Sequence, residues 1–276
     1  MSYTKMISRH EPGLIELLLD NSPSMTDFLA GTSDPKFQWV ERYAGHILKQ
    51  LLAQSATVVG DEVVIKPRFY LHTILYGGTT QVWGNGLMDI QTAVARYTEA
   101  GNSFGLAGQI SATDTANAFA CAYDFLRQAL ADAKFGTSFP PMLFHLTDGA
   151  SQTDASAVAE QVKQLTTADG NVLIVNAFIG TETSLSYHGP EDFPGYVSRD
   201  EAGPSSYNLR LFDMSSEMPP CIQQNLVNAC IFPVIRPGAR LFFDIRTKEM
   251  LKHAIQAIGS VGSRGPTPAA HAETVG

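Results

Sequence analysis

Two short polar runs carry the residue types that hold a hard cation. Asp20-Asn21-Ser22-Pro23-Ser24 places a carboxylate and two hydroxyls at steps of two residues, and Thr147-Asp148-Gly149 supplies a second carboxylate. In an extended turn the side chains of Asp20, Ser22 and Ser24 face the same point. If the segments ending in Asp20 and Asp148 are neighbouring strands, their carboxylates meet at one crevice. An all-oxygen cluster with few charges suits Mg2+, which takes octahedral geometry at about 2.0–2.1 Å and keeps several waters. Two carboxylates and several neutral hydroxyls leave such an ion electrophilic, so a carboxylate from another molecule can displace a water and complete the shell. Taken alone, the first run also reads as an ordinary turn or helix cap, because Asp, Asn, Ser and Pro crowd both.

The elements that position these runs are readable as apolar periodicity. Leu14-Ile15-Glu16-Leu17-Leu18-Leu19 is a nearly continuous apolar run ended by Asp20, the pattern of a central strand buried on both faces of a parallel sheet. Residues 35–54 switch to helical spacing: Phe37, Val40, Tyr43, Ala44, Ile47, Leu48, Leu51 and Leu52 recur every three or four residues, and Pro35 suits the first turn. Residues 68–76 are rich in β-formers, and Gly77-Gly78 followed by residues 79–83 predicts a hairpin into an antiparallel edge strand. Helices are expected over 88–97 and 114–131, with a glycine-rich loop at 101–108 between them. Residues 141–147 form the next apolar strand, Asp154 caps a helix to 165, and 172–179 is a further buried strand. This alternation calls for a Rossmann-like, doubly wound α/β fold: a mostly parallel six-stranded sheet with one antiparallel edge strand and helices on both faces. Ligands of such sheets lie outside the carboxyl ends of the strands, near the point where strand order reverses, and Asp20 and Asp148 both stand at strand ends.

After Gly180 the rhythm breaks. Repeated Gly-Pro and Pro-Gly signals mark residues 181–238 as an insertion in a domain spanning 1–258, with a short strand at 209–212 and a short helix at 221–229. A last strand at 239–244 and a last helix at 247–258 are expected to follow, and 259–276 reads as a disordered tail. The 276 residues, 44% hydrophobic, suffice to bury one sizeable core. A net charge of -8 with scattered Lys and Arg argues against a nucleic-acid partner. Cys121, Cys221 and Cys230 form no C-x-x-C pair, which fits core thiols in a reducing compartment. No run approaches the roughly 20 apolar residues of a membrane span, and residues 1–13 carry no signal-peptide core, so a cytoplasmic location without a membrane partner is expected.

Leu17-Leu18-Leu19-Asp20-Asn21-Ser22-Pro23-Ser24-Met25 resembles the D-x-S-x-S signature of von Willebrand factor A domains, and His145-Leu146-Thr147-Asp148-Gly149 resembles that family's T-D-G at the end of its fourth strand. Thr113-Asp114-Thr115 lies where the family places its metal-binding threonine. The order and spacing hold over about residues 12–180 and resume at 239–258. The resemblance implies a metal-ion-dependent adhesion site made by Asp20, Ser22, Ser24, Thr113 and Asp148 around Mg2+ or Mn2+, with Ca2+ a further candidate. In that family the serines and the threonine coordinate directly and the aspartates often act through water. Two positions depart from the pattern. Pro23 replaces the usual glycine and stiffens the loop, while Ser111-Ala112 replaces a common Gly-Gly and leaves Thr115 as an alternative to Thr113.

The expected function is a non-catalytic module, a cytoplasmic adaptor that grips an acidic residue of a protein partner through the ion. Intracellular members of the family act beside AAA+ ATPases of the chelatase type, or beside a kinase and phosphatase in bacterial stress and tellurite-resistance clusters, and the layout resembles the bacterial single-domain members of the latter group. One rival is a Mg2+-dependent phosphoryl-transfer hydrolase with Asp20 as nucleophile. Haloacid-dehalogenase-like enzymes need a carboxylate two residues on, where Ser22 stands, and a lysine for which no matching position is evident. Neither a G-x-S-x-G elbow nor a Walker lysine is present. The other rival is a structural subunit with a vestigial metal site. Of the remaining polar residues, His145 and His72 are expected as hydrogen-bonded core histidines, Asp114 as a helix cap, and Asp27 and Asp34 as solvated loop charges. Tyr187, Phe193, Tyr196 and Tyr207 are interface anchors or simply pack the insertion.

Overall fold

Strand β1, Gly13–Asp20, is buried along its whole length, and its side chains divide between two cores. Ile15, Leu17 and Leu19 belong to one, Leu14 and Leu18 to the other, because successive strand residues face opposite sides of a sheet. The computed structural model describes residues 3–29, 32–108, 111–180, 195–203, 205–228 and 231–245. Helix α1, Lys36–Ser55, lays Trp39, Val40, Tyr43, Ala44, Ile47, Leu48 and Leu51 against the first core. It runs into an unexpected hairpin, β2 (Ala56–Val59) and β3 (Glu62–Ile65), which forms a separate two-stranded sheet. Then come β4 (Phe69–Tyr76), β5 (Thr80–Val82), β6 (Met88–Asp89), α2 (Ile90–Glu99), α3 (Thr115–Ala129) and α4 (Ala133–Gly136). The chain continues through β7 (Met142–Thr147), α5 (Ser156–Gln164), β8 (Leu173–Ile179), α6 (Ser206–Met214), α7 (Pro220–Asn228) and β9 (Phe242–Ile245).

The sheet has the order β5-β4-β1-β7-β8-β9, with β6 paired outside this path to β4. β4, β1, β7, β8 and β9 pair in parallel, whereas β5 and the two-residue β6 both run antiparallel to β4. The expected six-stranded doubly wound sheet with an antiparallel edge is thus present, and β6 is an addition too short to show periodicity. From β1 the chain moves outward to β4, and from β7 it moves outward the other way through β8 and β9. Strand order therefore reverses between β1 and β7, which makes their carboxyl ends the switch point.

The expected strand at 209–212 is instead the middle of α6. Ser205 caps that helix by accepting from Tyr207 N–H, and Asn208, Leu211, Phe212 and Met214 are buried at helical spacing. Four residues are too few to tell a buried helix from a strand by pattern. Leu211 and Phe212 enter the first core and Met214 the second, so this part of the expected insertion helps build the body of the fold. Tyr196 is buried there too, whereas Tyr207 is partly exposed. Cys121 and Cys221 are half-buried rather than core thiols. The expected helix at 247–258, the tail, Cys230, Tyr187 and Phe193 lie outside the described residues. Among the described residues no helix is long and apolar enough to cross a membrane.

Candidate metal centre

β1 and β7 lie side by side with Leu19 opposite Leu146, so Asp20 and Thr147-Asp148 leave the sheet at the same edge. Thr147 Oγ1 donates to Asp20 Oδ2 at 2.6 Å, and the Ser22 N–H donates to Asp20 Oδ1 at 2.9 Å. Ser22 has extended backbone at φ -75°, ψ 164°, and a 3-10 turn over Pro23–Thr26 follows. Pro23 presets the first turn residue, and the result sets the Ser22 and Ser24 hydroxyls 3.2 Å apart. Ser24 Oγ donates onward to Asp148 Oδ1 at 3.1 Å. Gly149 makes the sharp exit from β7 at φ +77°, where a Cβ would come within 2.9 Å of Tyr207 Cβ. Only glycine takes that conformation without strain.

These oxygens fit a small divalent ion. Adjacent ligands of an octahedral ion at about 2.1 Å stand about 3 Å apart, the spacing that separates Ser22 Oγ, Ser24 Oγ and Asp148 Oδ1. Asp20 is fully buried, and burial pushes its carboxyl up to about 6; hydrogen bonds from Ser22 and Thr147 oppose the shift and the nearby Asp148 charge adds to it. A carboxylate held in that state gains from a cation beside it. The donors are hard oxygens. Hard oxygens suit Mg2+ or Mn2+ rather than a metal that wants thiolate or imidazole, and among the described residues no group of three or more His, Cys, Asp or Glu that could hold a metal gathers.

Of the five residues singled out from the sequence, four come together. Thr113 is buried beside the loop after Asp148, its carbonyl accepting from Gln152 N–H at 3.1 Å and Ser151 Oγ at 3.3 Å. Among the described residues its hydroxyl has no hydrogen bond to Asp20, Ser22, Ser24 or Asp148. The preceding Ala112 has φ +61°, a left-handed conformation that costs a non-glycine residue about 1–2 kcal/mol and explains why glycine is at home there. Thr115, the alternative, lines a cavity together with His145 and Thr147. Asp114 caps α3 through Asn117 N–H and accepts from Thr153 Oγ1.

Three residues at the site were not read from the sequence. Lys36, the first residue of α1, buries its ammonium against Asp148, donating to Oδ2 at 2.9 Å. Asn21 Oδ1 accepts from Ala107 N–H and Gly108 N–H, both at 2.7 Å, and Glu41 accepts from Ser103 Oγ and from the N–H groups of Phe104 and Leu106. Those two side chains pin the glycine-rich loop beside the site. Asn21 was part of the motif, yet its amide role needs the loop to be folded against it. Lys36 did leave a signal, since the positive end of a helix dipole disfavours a cation in the first turn.

Beneath the site, Tyr76 OH and His145 Nε2 lie 2.6 Å apart, and His145 Nδ1 lies 2.8 Å from Asn176 Oδ1. Asn176 Nδ2 donates to Leu211 O and Ser215 Oγ. Burial pulls His145 down to about 4, so it is a neutral core histidine as expected. His72 is likewise internal, with Nδ1 2.8 Å from Glu16 Oε2 and its ring stacked on Phe125.

The sequence matches no protein-family model and no curated protein. Solved structures do match. Proximal thread matrix protein 1 from the mussel byssus is 9% identical with a TM-score of 0.50, over 91% of this chain and 48% of that one, so this chain spans about half its length. The manganese-loaded TRAP protein of Plasmodium vivax is 14% identical at a TM-score of 0.48, over 92% and 74% of the two chains. BatB from Bacteroides thetaiotaomicron is 12% identical at 0.48, over 91% of this chain and all of that one. At such identities the likeness concerns fold alone. The doubly wound, mostly parallel sheet with its antiparallel edge strand agrees with the fold that the sequence resemblance implies.

Proposed function

We propose that this protein is a non-catalytic binding module which holds a divalent ion, Mg2+ or Mn2+, at Asp20, Ser22, Ser24 and Asp148, with Thr113 the fifth residue that the family resemblance implies, and grips an acidic side chain of a protein partner through it. The observation that carries the reading is the run of three oxygens, Ser22 Oγ, Ser24 Oγ and Asp148 Oδ1, at 3.2 and 3.1 Å beside the buried Asp20. The low charge of that set favours a partner's carboxylate as the final ligand. Phe28, exposed in the loop that follows the motif, supplies an aromatic contact at the rim. The module works in the cytoplasm, with a kinase and phosphatase or an AAA+ ATPase as its partner system, as the family resemblance implies.

Catalysis is disfavoured by the state of Asp20. A nucleophilic carboxylate has to meet its substrate, whereas Asp20 is fully buried with both oxygens engaged by Ser22 and Thr147. Lys36 does enter the site, but its ammonium pairs with Asp148. The test is calorimetric titration of Mg2+ and Mn2+ into wild type and Asp20→Ala, joined to affinity capture from lysate in Mg2+ or in EDTA. Binding that disappears in Asp20→Ala, with capture lost in EDTA, is expected. Capture that survives EDTA would show that the grip does not run through the ion, and turnover of a phosphate ester abolished by Asp20→Ala would restore the hydrolase reading.

A further inference from the structure

Lys36 is an unusual resident. Its side chain is 6% exposed, its ammonium lies 2.9 Å from Asp148 Oδ2, and a second carboxylate, Asp27, stands 3.9 Å away on the solvent side with its own side chain 69% exposed. Helix formation does not account for a lysine here, because the unpaired N–H groups of the first turn repel a cation. Burying an ammonium is costly unless a carboxylate pairs with it, so Asp148 is what holds Lys36 in place.

That pairing consumes Asp148. Oδ1 already accepts from Ser24 Oγ at 3.1 Å and Ala150 N–H at 3.2 Å, and Oδ2 accepts from Lys36. An ion bound at Asp148, directly or through a water, would stand within a few ångströms of the ammonium, and like charges at that distance in a buried site repel strongly. Each cation at Asp148 therefore weakens the hold on the other. The lysine stem is long and flexible, and Asp27 offers the ammonium a second carboxylate at the rim.

We propose that Lys36 is a tethered cation that competes with the divalent ion for Asp148: it pairs with Asp148 when no metal is bound, and swings toward Asp27 when the ion enters. This rests on the metal-site reading above and adds to it a residue that sets the ion affinity and keeps the empty site from carrying two bare carboxylates. Partner capture is then gated, because the ion that the partner needs must first displace an internal rival.

The test is titration of Mg2+ and Mn2+ alone into wild type, Lys36→Met, Lys36→Gln and Asp27→Asn, with folding followed by circular dichroism. In parallel, Lys36 of the wild type is labelled with an amine-acylating reagent, with and without Mg2+, and read by mass spectrometry. Both Lys36 variants should bind the ion at least tenfold more tightly than wild type, Asp27→Asn should bind several-fold more weakly, and Mg2+ should raise Lys36 labelling several-fold. Wild-type binding with no tightening in either variant, or labelling that Mg2+ leaves unchanged, overturns the proposal and leaves the metal site standing. Binding by the Lys36 variants alone supports it in its strongest form, a site plugged by its own lysine. If no protein binds either ion, the metal-site reading falls and takes the proposal with it. Should both Lys36 variants fail to fold, the labelling of wild type decides.

Discussion

Strand β1 carries two buried carboxylates on one face, four residues apart, and they are treated in opposite ways. Glu16 is fully buried and meets one dedicated partner, His72, through both carboxylate oxygens at 2.8 and 2.9 Å, with Phe125 stacked over the imidazole. Asp20 is also fully buried, but its neighbours are hydroxyls and an amide, and the next charged groups are a second carboxylate and a lysine that pairs with that carboxylate. The first cluster is closed by the protein itself. The second has two carboxylates for one ammonium and sits at the sheet edge where side chains from several loops converge. A buried charge with its own partner is a packing element, whereas one left short of counter-charge at a switch point is a place for a ligand.

The comparison breaks most visibly if Glu16 loses its partner. His72→Leu strands a buried carboxyl, and urea denaturation should show a loss of about 3–5 kcal/mol that Mg2+ does not restore. A smaller effect of about 3 kcal/mol is expected from pH through the closed network below the site. His145 titrates at about 4 in the fold against 6.5 when free. Its folded value is depressed, so its contribution is complete above pH 6.5 and is lost as pH falls toward about 4, at about 1.4 kcal/mol per unit. Stability curves of wild type and His145→Gln should converge across that window; parallel curves would mean that His145 is not held neutral.

At the open cluster the sign should reverse. Asp20→Asn removes a buried charge that lacks a dedicated counter-ion, so the metal-free variant should be about 1–3 kcal/mol more stable than wild type at neutral pH. Mg2+ at 100 times its dissociation constant should stabilise wild type by about 2.7 kcal/mol and leave Asp20→Asn unmoved in thermal melts. Loss of stability in Asp20→Asn would place Asp20 with Glu16 as a packing group. The smallest change, about 1 kcal/mol, should come from Phe28→Ala, seen as weaker capture of the partner in Mg2+ with unaltered melting.

Local pattern reached far into this fold. The apolar runs of β1, β4, β7 and β8 and the helical stripe of α1 announced their own type and nearly their own bounds, because a strand buried on both faces and a helix buried on one need those spacings wherever they sit. Asp20, Ser22 and Ser24 were readable for the same reason, as three neighbours whose spacing already turns them to one point. The β2–β3 hairpin was not. Its residues, with Val58 and Val63 paired across the strands and exposed, lack the burial contrast that a pattern search detects. α6 was missed as well, since its short apolar segment takes its meaning from the two cores that it joins.

What the sequence determined by itself is therefore the kind of sheet and the presence of two oxygen-rich strand ends. Which of these ends meet was decided by the order β4-β1-β7, which sets Asp20 against Thr147, 127 residues away along the chain. The same order brings Lys36 to Asp148 across 112 residues. The helix dipole marks a lysine at a helix start as out of place, but its burial and its partner are properties of distance in space, and Coulomb attraction between charges has no sequence period to betray them.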